Sequence, residues 1–321
     1  MRRLYIQFTA VLALVIAPMV ACASPLVSSA WLSEKLEDDN VVIIDLRNKI
    51  DKGSYETFLE GHIPGAIHSD YLKDGWRVVR EGVVGLLPEA DQFQSLARRL
   101  GVSDNTHVVV VPAGVSSTDF GSAARAYWTF KVFGHNNVSI LDGGFSAWRD
   151  FAPAKIETGA FVAPEPGNFV ARFNPQFYIG TSDVAAFAEN PGQALLVDGR
   201  TDEQFYAGGK HPKAANAGRI PSAVLMDQDN AYSPEDNRLK SREELAKIYK
   251  NPGDKAIVSY CNTGHWAATN WFVMSEILDQ KNVKLYDGSM VEWTANTDLP
   301  LDKSVKSNMH KIKEMFSGLL G

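Results

Sequence analysis

Cys261 sits in Ala256-Ile-Val-Ser-Tyr-Cys-Asn-Thr-Gly-His-Trp-Ala-Ala, where an apolar run gives way to small and polar residues. The run reads as a buried strand ending at Tyr260, and helix-compatible spacing begins at Ala267. A cysteine at such a turn points its sulfur into a ring of backbone N–H groups. Those donors and the partial positive charge of a helix N-terminus favour thiolate over thiol. Thiolate is the nucleophilic form, so this loop predicts covalent chemistry at sulfur. The predicted donors are the N–H groups of Asn262, Thr263, Gly264, His265, Trp266 and Ala267, with Gly264 permitting the backbone twist a cradle needs.

The chain has two cysteines, and the other, Cys22, lies in a segment that reads as an export leader. Arg2 and Arg3 precede an apolar run from Phe8 to Val20, and Ala21-Cys22-Ala23 is a small-x-small cleavage site. Residues 1–23 are therefore expected to be a signal peptide, and the mature protein to be exported to the periplasm. Pro18 breaks the run, which is short for a membrane span, so no span is expected in the mature form. Met19-Val-Ala-Cys22 loosely resembles a lipoprotein processing site; methionine stands where leucine is usual, and soluble export ranks ahead of a lipid anchor at Cys22. Cleavage after Ala23 leaves Cys261 as a single thiol that forms no internal disulfide. In an oxidising compartment such a thiol is a liability unless it is used or buried.

Net charge is −6, and becomes −8 once Arg2 and Arg3 leave with the leader. That argues against nucleic acid or an anionic membrane surface as the main partner. His62, His68, His107, His135, His211 and His265 show no paired ligand spacing, and one cysteine is too few for a structural zinc site, so no metal is expected.

The elements that must position Cys261 occur twice. Val41-Val-Ile-Ile-Asp-Leu-Arg is echoed by Ala194-Leu-Leu-Val-Asp-Gly-Arg, and Gly61-His-Ile-Pro-Gly-Ala-Ile by Gly218-Arg-Ile-Pro-Ser-Ala-Val. Leu141-Asp-Gly-Gly-Phe-Ser-Ala-Trp is echoed by Tyr286-Asp-Gly-Ser-Met-Val-Glu-Trp, and the order is the same in both halves. The expected plan is a first domain over 24–150, a Pro- and Gly-rich linker over 151–179 and a second domain over 180–300. A C-terminal helix is expected over 301–321. Val305, Met309, Ile312, Met315 and Phe316 would lie roughly on one face of that helix. Within each half, apolar runs such as His107-Val-Val-Val-Val alternate with helical patterns such as Ala123 to Phe133, stopped by Gly134. Strand, helix and strand at this spacing imply parallel α/β sheets covered on both faces. In such sheets ligands bind at the carboxyl ends of strands, where Cys261 and Arg200 both fall. The first half has no cysteine at the matching place. After Val111 it continues Pro112-Ala-Gly-Val-Ser-Ser-Thr-Asp-Phe-Gly, read as a turn and helix cap, so the first half is expected to be non-catalytic support.

Taken together, the two D-x-R strand ends, the G-H-I-P-G-A segment, the D-G-G/D-G-S segments and the Cys261 loop resemble the rhodanese family of sulfurtransferases in its tandem-domain form. The resemblance runs from Pro25 to about Leu299. It implies two homologous domains, a silent first and a catalytic second. It also implies that Cys261 takes sulfur from a small anionic donor and holds it as a persulfide. A thiophilic acceptor (cyanide, a thiol, or a protein acceptor) then removes it, with no cofactor beyond that covalent intermediate. Thiosulfate is the first expectation for the donor and 3-mercaptopyruvate the alternative. Arg200 matches the family's anion-binding arginine. Asn262 and Thr263 are neutral where thiosulfate-type loops carry basic residues, so His265, Lys210, His211 and Lys213 are the candidates to supply charge, against the alternative that they are solvated loop residues. Trp266 either walls the pocket or packs in the core. The rival from another class is a non-turnover sulfur carrier. A cysteine phosphatase is disfavoured, since its loop ends in arginine where this chain has Ala267 and usually has histidine where this chain has Tyr260.

Overall fold

The computed structural model describes residues 23–250 and 252–306, so the expected leader and most of the expected C-terminal helix lie outside the described residues. Residues 301–306 are not helical. Asp302 instead forms an antiparallel bridge with Arg219, and their side chains pair at 2.6 Å.

The described strands are β1 (Leu26–Val27), β2 (Val41–Asp45), β3 (Ile67–His68), β4 (Val78–Arg80), β5 (Val83–Leu86), β6 (His107–Val111) and β7 (Val138–Leu141) in the first half. The second half has β8 (Ala194–Asp198), β9 (Val224–Leu225), β10 (Tyr232–Ser233), β11 (Arg238–Leu239), β12 (Ala256–Tyr260) and β13 (Val283–Leu285). The first sheet runs β1-β7-β6-β2-β3 and the second β13-β12-β8-β9, all pairs parallel. Thus β7-β6-β2-β3 and β13-β12-β8-β9 are the same arrangement, as the sequence echoes predicted. Each half adds an antiparallel hairpin after its edge strand, β4–β5 and β10–β11. The central strands β6, His107-Val-Val-Val-Val, and β12, Ala256-Ile-Val-Ser-Tyr, are buried after their first position, as a strand covered on both faces must be.

The helix Ser117–Val132 links the halves. It begins six residues before the apolar pattern at Ala123 because the Ser116 Oγ caps it, accepting from Asp119 N at 3.2 Å. It ends before Gly134, at φ +83°. Its partner is the helix His265–Phe272 from the other half. Tyr127 meets Phe272 edge-on with ring centroids 4.9 Å apart, and Phe120 does so at 5.7 Å. One buried cluster therefore runs through both halves, from Trp76 and Phe93 to Trp271 and Phe272, and each half keeps a second cluster on its outer sheet face. The segment 151–179 is anchored rather than free on the surface: Phe169 and Phe177 are buried in the shared core. No helix among the described residues is long and apolar enough to cross a membrane.

Candidate active site

Cys261 follows the last residue of β12 and is 1% exposed. One hydroxyl sets its loop. The Ser289 Oγ accepts from Cys261 N at 3.0 Å and Gly264 N at 3.1 Å, and donates to Tyr286 O at 2.8 Å. The helix Ser289–Ala295 secures the same loop from its own first turn, Met290 N donating to Cys261 O at 3.1 Å and Val291 N to Asn262 O at 3.0 Å. This corrects part of the expected cradle. The Gly264 N–H is committed to Ser289, and Gly264 contributes its φ of +70° rather than a donor. His265, Trp266 and Ala267 form the first turn of a helix, whose N–H groups have no intrahelical acceptor.

The sulfur opens on a cavity of ≈ 180 Å³ between the halves. Asn262, Thr263, His265, Trp266 and His211 line it from the second half, and Ile50, Arg77 and Thr118 from the first. Asn262 is turned by its Nδ2 donating to Gln204 Oε1 at 2.9 Å, while its buried Oδ1 has no partner. Trp266 both walls the cavity and packs on the shared core, its Nε1 donating to Thr118 Oγ1 at 3.3 Å. Ala267 is fully buried behind the loop, its carbonyl accepting from Ser259 Oγ at 2.9 Å.

Arg200 is not brought into this cavity. It is 1% exposed and folded back on Asp198, with Nε 2.9 Å from Oδ1 and Nη2 2.6 Å from Oδ2, and Nη2 also donates to Gly218 O at 2.8 Å. Arg47 repeats the arrangement in the half without the thiol, its Nε 3.0 Å from both Asp45 oxygens and its Nη2 2.8 Å from Gly61 O. A buried carboxylate at a strand end requires such a partner, so the D-x-R arginine clamps its strand to the glycine of the next turn in both halves. Lys210 is likewise committed elsewhere, its Nζ bonded to Ala214 O, and Lys213 is exposed and does not line the cavity. His211 does reach the cavity. Burial first, then Arg77, Lys210 and Lys213, hold its imidazole below the usual range.

His265 supplies no charge either. It lies between two first-half groups, Nδ1 3.0 Å from Tyr71 Oη and Nε2 2.8 Å from Thr118 O. A carbonyl only accepts, so Nε2 carries the proton and Nδ1 accepts from the tyrosine hydroxyl. Burial, helped by Arg77 and Arg125, pushes its pKa down to about 3. The sign follows. Above the ordinary value of 6.5, His265 is neutral folded and unfolded. Below it, only the unfolded chain takes the proton, so stability falls as pH drops from about 6.5 towards about 3. We expect a loss of a few kcal/mol across that window, read from denaturant midpoints against pH. His265→Gln should flatten the slope, and an unchanged slope would contradict the assignment.

The matching loop of the first half is built on the same frame. Asp45 pairs with Val111 as Asp198 pairs with Tyr260, which sets Pro112 at the place of Cys261. Phe145 N and Ser146 N donate to Pro112 O and Ala113 O, as Met290 N and Val291 N do to Cys261 O and Asn262 O. There, however, the loop N–H groups are filled from within. Ala113 N, Gly114 N and Val115 N donate to the buried Asp119 carboxyl at 3.0, 2.5 and 3.1 Å. Gly144 stands where the second half has Ser289, both at positive φ. The exchange from D-G-G to D-G-S was thus a sequence signal for the loop-holding hydroxyl, though it served only as a marker of the repeat. Arg77, Thr118 and Ile50 carried no such signal.

Two of the relatives place this geometry among known proteins. The chain is 34% identical to the 3-mercaptopyruvate sulfurtransferase of Escherichia coli (strain K12) over 287 residues, covering 86% of this chain and 97% of that one. It is 30% identical to the thiosulfate sulfurtransferase of Corynebacterium glutamicum over 298 residues, covering 88% and 93%. The crystal structure of SseA from Escherichia coli, a 3-mercaptopyruvate sulfotransferase with the rhodanese fold, superposes with a TM-score of 0.68 at 30% identity, covering 83% of this chain and 99% of that one. The family described as Rhodanese-like domain matches residues 28–151 and again 181–296, so this chain belongs to the rhodanese family, with the domain in tandem.

Proposed function

We propose that the protein is a sulfurtransferase that carries sulfur as a Cys261 persulfide. The observation that supports it is a single thiol at the carboxyl edge of a central strand, opening on a cavity sized for a molecule of a few atoms. The thiolate attacks the outer sulfur of the donor. A new S–S bond forms, the donor's own bond to that sulfur breaks, and its electron pair leaves with the remainder, which is sulfite when the donor is thiosulfate. Cyanide or a thiolate then attacks the outer persulfide sulfur, giving thiocyanate or a new persulfide and returning the Cys261 thiolate. The N–H groups at the start of the helix His265–Phe272 are the donors left to stabilise the terminal sulfur anion. Arg125 and Arg200 stay out of the cavity but lie within electrostatic reach of Cys261 and favour the same anion. With the leader over 1–23 removed, the reaction runs in the periplasm.

The test is intact mass after incubation of the mature protein with thiosulfate and, separately, with 3-mercaptopyruvate. The expected result is a gain of about 32 Da, one sulfur, that cyanide removes and Cys261→Ser abolishes. The donor that loads the protein also resolves the subclass. No gain from either donor, while the thiol still alkylates, would overturn the small-donor reading in favour of a carrier loaded by a protein partner.

A further inference from the structure

We infer that the anion-binding group of this site comes from the other domain: Arg77, just ahead of β4, holds the charged end of the sulfur donor. The inference rests on the sulfur-transfer reading and names what that reading lacks, a cation in the cavity. The second half offers none. Asn262, Thr263 and Trp266 are neutral by type, and His265 and His211 are held neutral by burial and by nearby positive charge. Arg200 is closed on Asp198, and Arg125 lies beneath the loop against Asp287.

Arg77 lines the cavity with Cys261, and among the described residues it has no ion pair and no hydrogen bond. Its guanidinium carbon lies over the Tyr71 ring, 5.2 Å from the centroid, and the Tyr71 hydroxyl is bonded to His265. Stacking fixes the face of the guanidinium and leaves its N–H edges uncommitted. Its charge depresses both His265 and His211, which places its field across two walls of the cavity. A half-buried guanidinium with no protein partner is costly unless a ligand completes it.

The position of Arg77 relative to the sulfur is set across the domain boundary. Trp76 beside it is fully buried, its Nε1 donating to Ser69 Oγ at 2.9 Å. The β4–β5 hairpin follows directly, and its Gly85 lies so close to the catalytic loop that an added Cβ would stand 2.8 Å from Thr263 O. The hairpin that carries Arg77 is thus seated on the loop that carries Cys261. The ligand class follows from the fork of donors and the volume. It is a compact oxyanion, a carboxylate or a sulfite-type group, with the transferable sulfur a bond or two away, and not a peptide.

The test compares two alkylating agents at Cys261, anionic iodoacetate and neutral iodoacetamide, in wild type, Arg77→Met and Arg77→Lys. The expected result is that Arg77→Met slows iodoacetate about tenfold relative to iodoacetamide, as loss of one charge-assisted contact would. Arg77→Lys should keep most of the wild-type preference. In the same variants KM for the anionic donor rises while the rate of persulfide discharge to a neutral thiol acceptor holds. Equal slowing of both reagents would make Arg77 structural, and an unchanged ratio would place the cation elsewhere; either overturns the inference. The alkylation ratio needs no turnover, so a fall in the ratio without any sulfur loading would retain Arg77 as an anion site and reject the transferase reading alone.

Discussion

Gly264→Ala is expected to lower sulfur loading of Cys261 by about a hundredfold or more while leaving the thiol in place. Two costs combine. Gly264 has φ +70°, where an L side chain costs roughly 1–2 kcal/mol. The added Cβ would also overlap Arg125 Nη1 and stand 2.8 Å from Asp287 Cα and 2.9 Å from Asp287 O. Two of those three neighbours are backbone and cannot swing aside, so the loop itself must retreat. Retreat pulls Gly264 N away from Ser289 Oγ, the atom that also holds Cys261 N. A shift of about 1 Å in a reacting group is enough for a hundredfold loss. Gly65→Ala is the control: its φ of +74° imposes the same strain, yet nothing lies within 4 Å of the added Cβ. It should lose about 1 kcal/mol of stability and load sulfur normally. Loading by intact mass and stability by denaturant midpoint separate the two variants, and wild-type loading by Gly264→Ala would show that the loop is not held as described.

What the sequence revealed and what it hid divide along the domain boundary. The position of Cys261 at a strand end, its loop and the parallel strands were legible because each is a local pattern. A β-branched run, a turn of small residues and a helix start leave their mark in adjacent residues, and the repeat made each mark twice. Arg200 misled because residue type and strand position do not disclose which way a guanidinium turns. Only the Asp198 and Gly218 contacts do, and Arg47 had the same pattern in the half without a cysteine. His265 misled because its neutrality comes from burial against the first half, helped by Arg77 and Arg125, far away in the chain. Arg77 left no trace at all, since nothing in the residues around it specifies that the β4–β5 hairpin rests on the loop of the other domain. The first half was expected to be support alone, and its packing, not its pattern, brings three side chains to the cavity.

The same boundary governs the second large effect. Arg125→Met is expected to destabilise the protein by about 3–5 kcal/mol, the range for breaking one side of a buried ion pair. Arg125 is fully buried on the helix Ser117–Val132, and its Nη2 donates to Gly85 O at 3.0 Å and meets Asp287 Oδ2 at 3.4 Å. Its guanidinium lies over Trp128 at 4.6 Å, while Nε and Nη1 have no hydrogen-bond partner and Nη1 sits against Gly264. Replacing a buried ion pair with apolar residues is often harmless when both partners go. Here one partner stays. Asp287 is 2% exposed and would keep only Leu87 N and Gly288 N to hold its charge. Adding Asp287→Asn should therefore recover part of the loss, giving a coupling of about 1–3 kcal/mol in a double-mutant cycle. Sulfur loading should not recover with it, because the positive charge within reach of Cys261 is still missing. A single variant within about 1 kcal/mol of wild type would mean that the pair is not the clasp between the halves. Recovery of stability and loading together would mean that Arg125 acts on the loop through packing alone. Recovery of stability without loading is the outcome this geometry requires: one buried cation from the first domain both fastens the hairpin to the second domain and stands behind the sulfur.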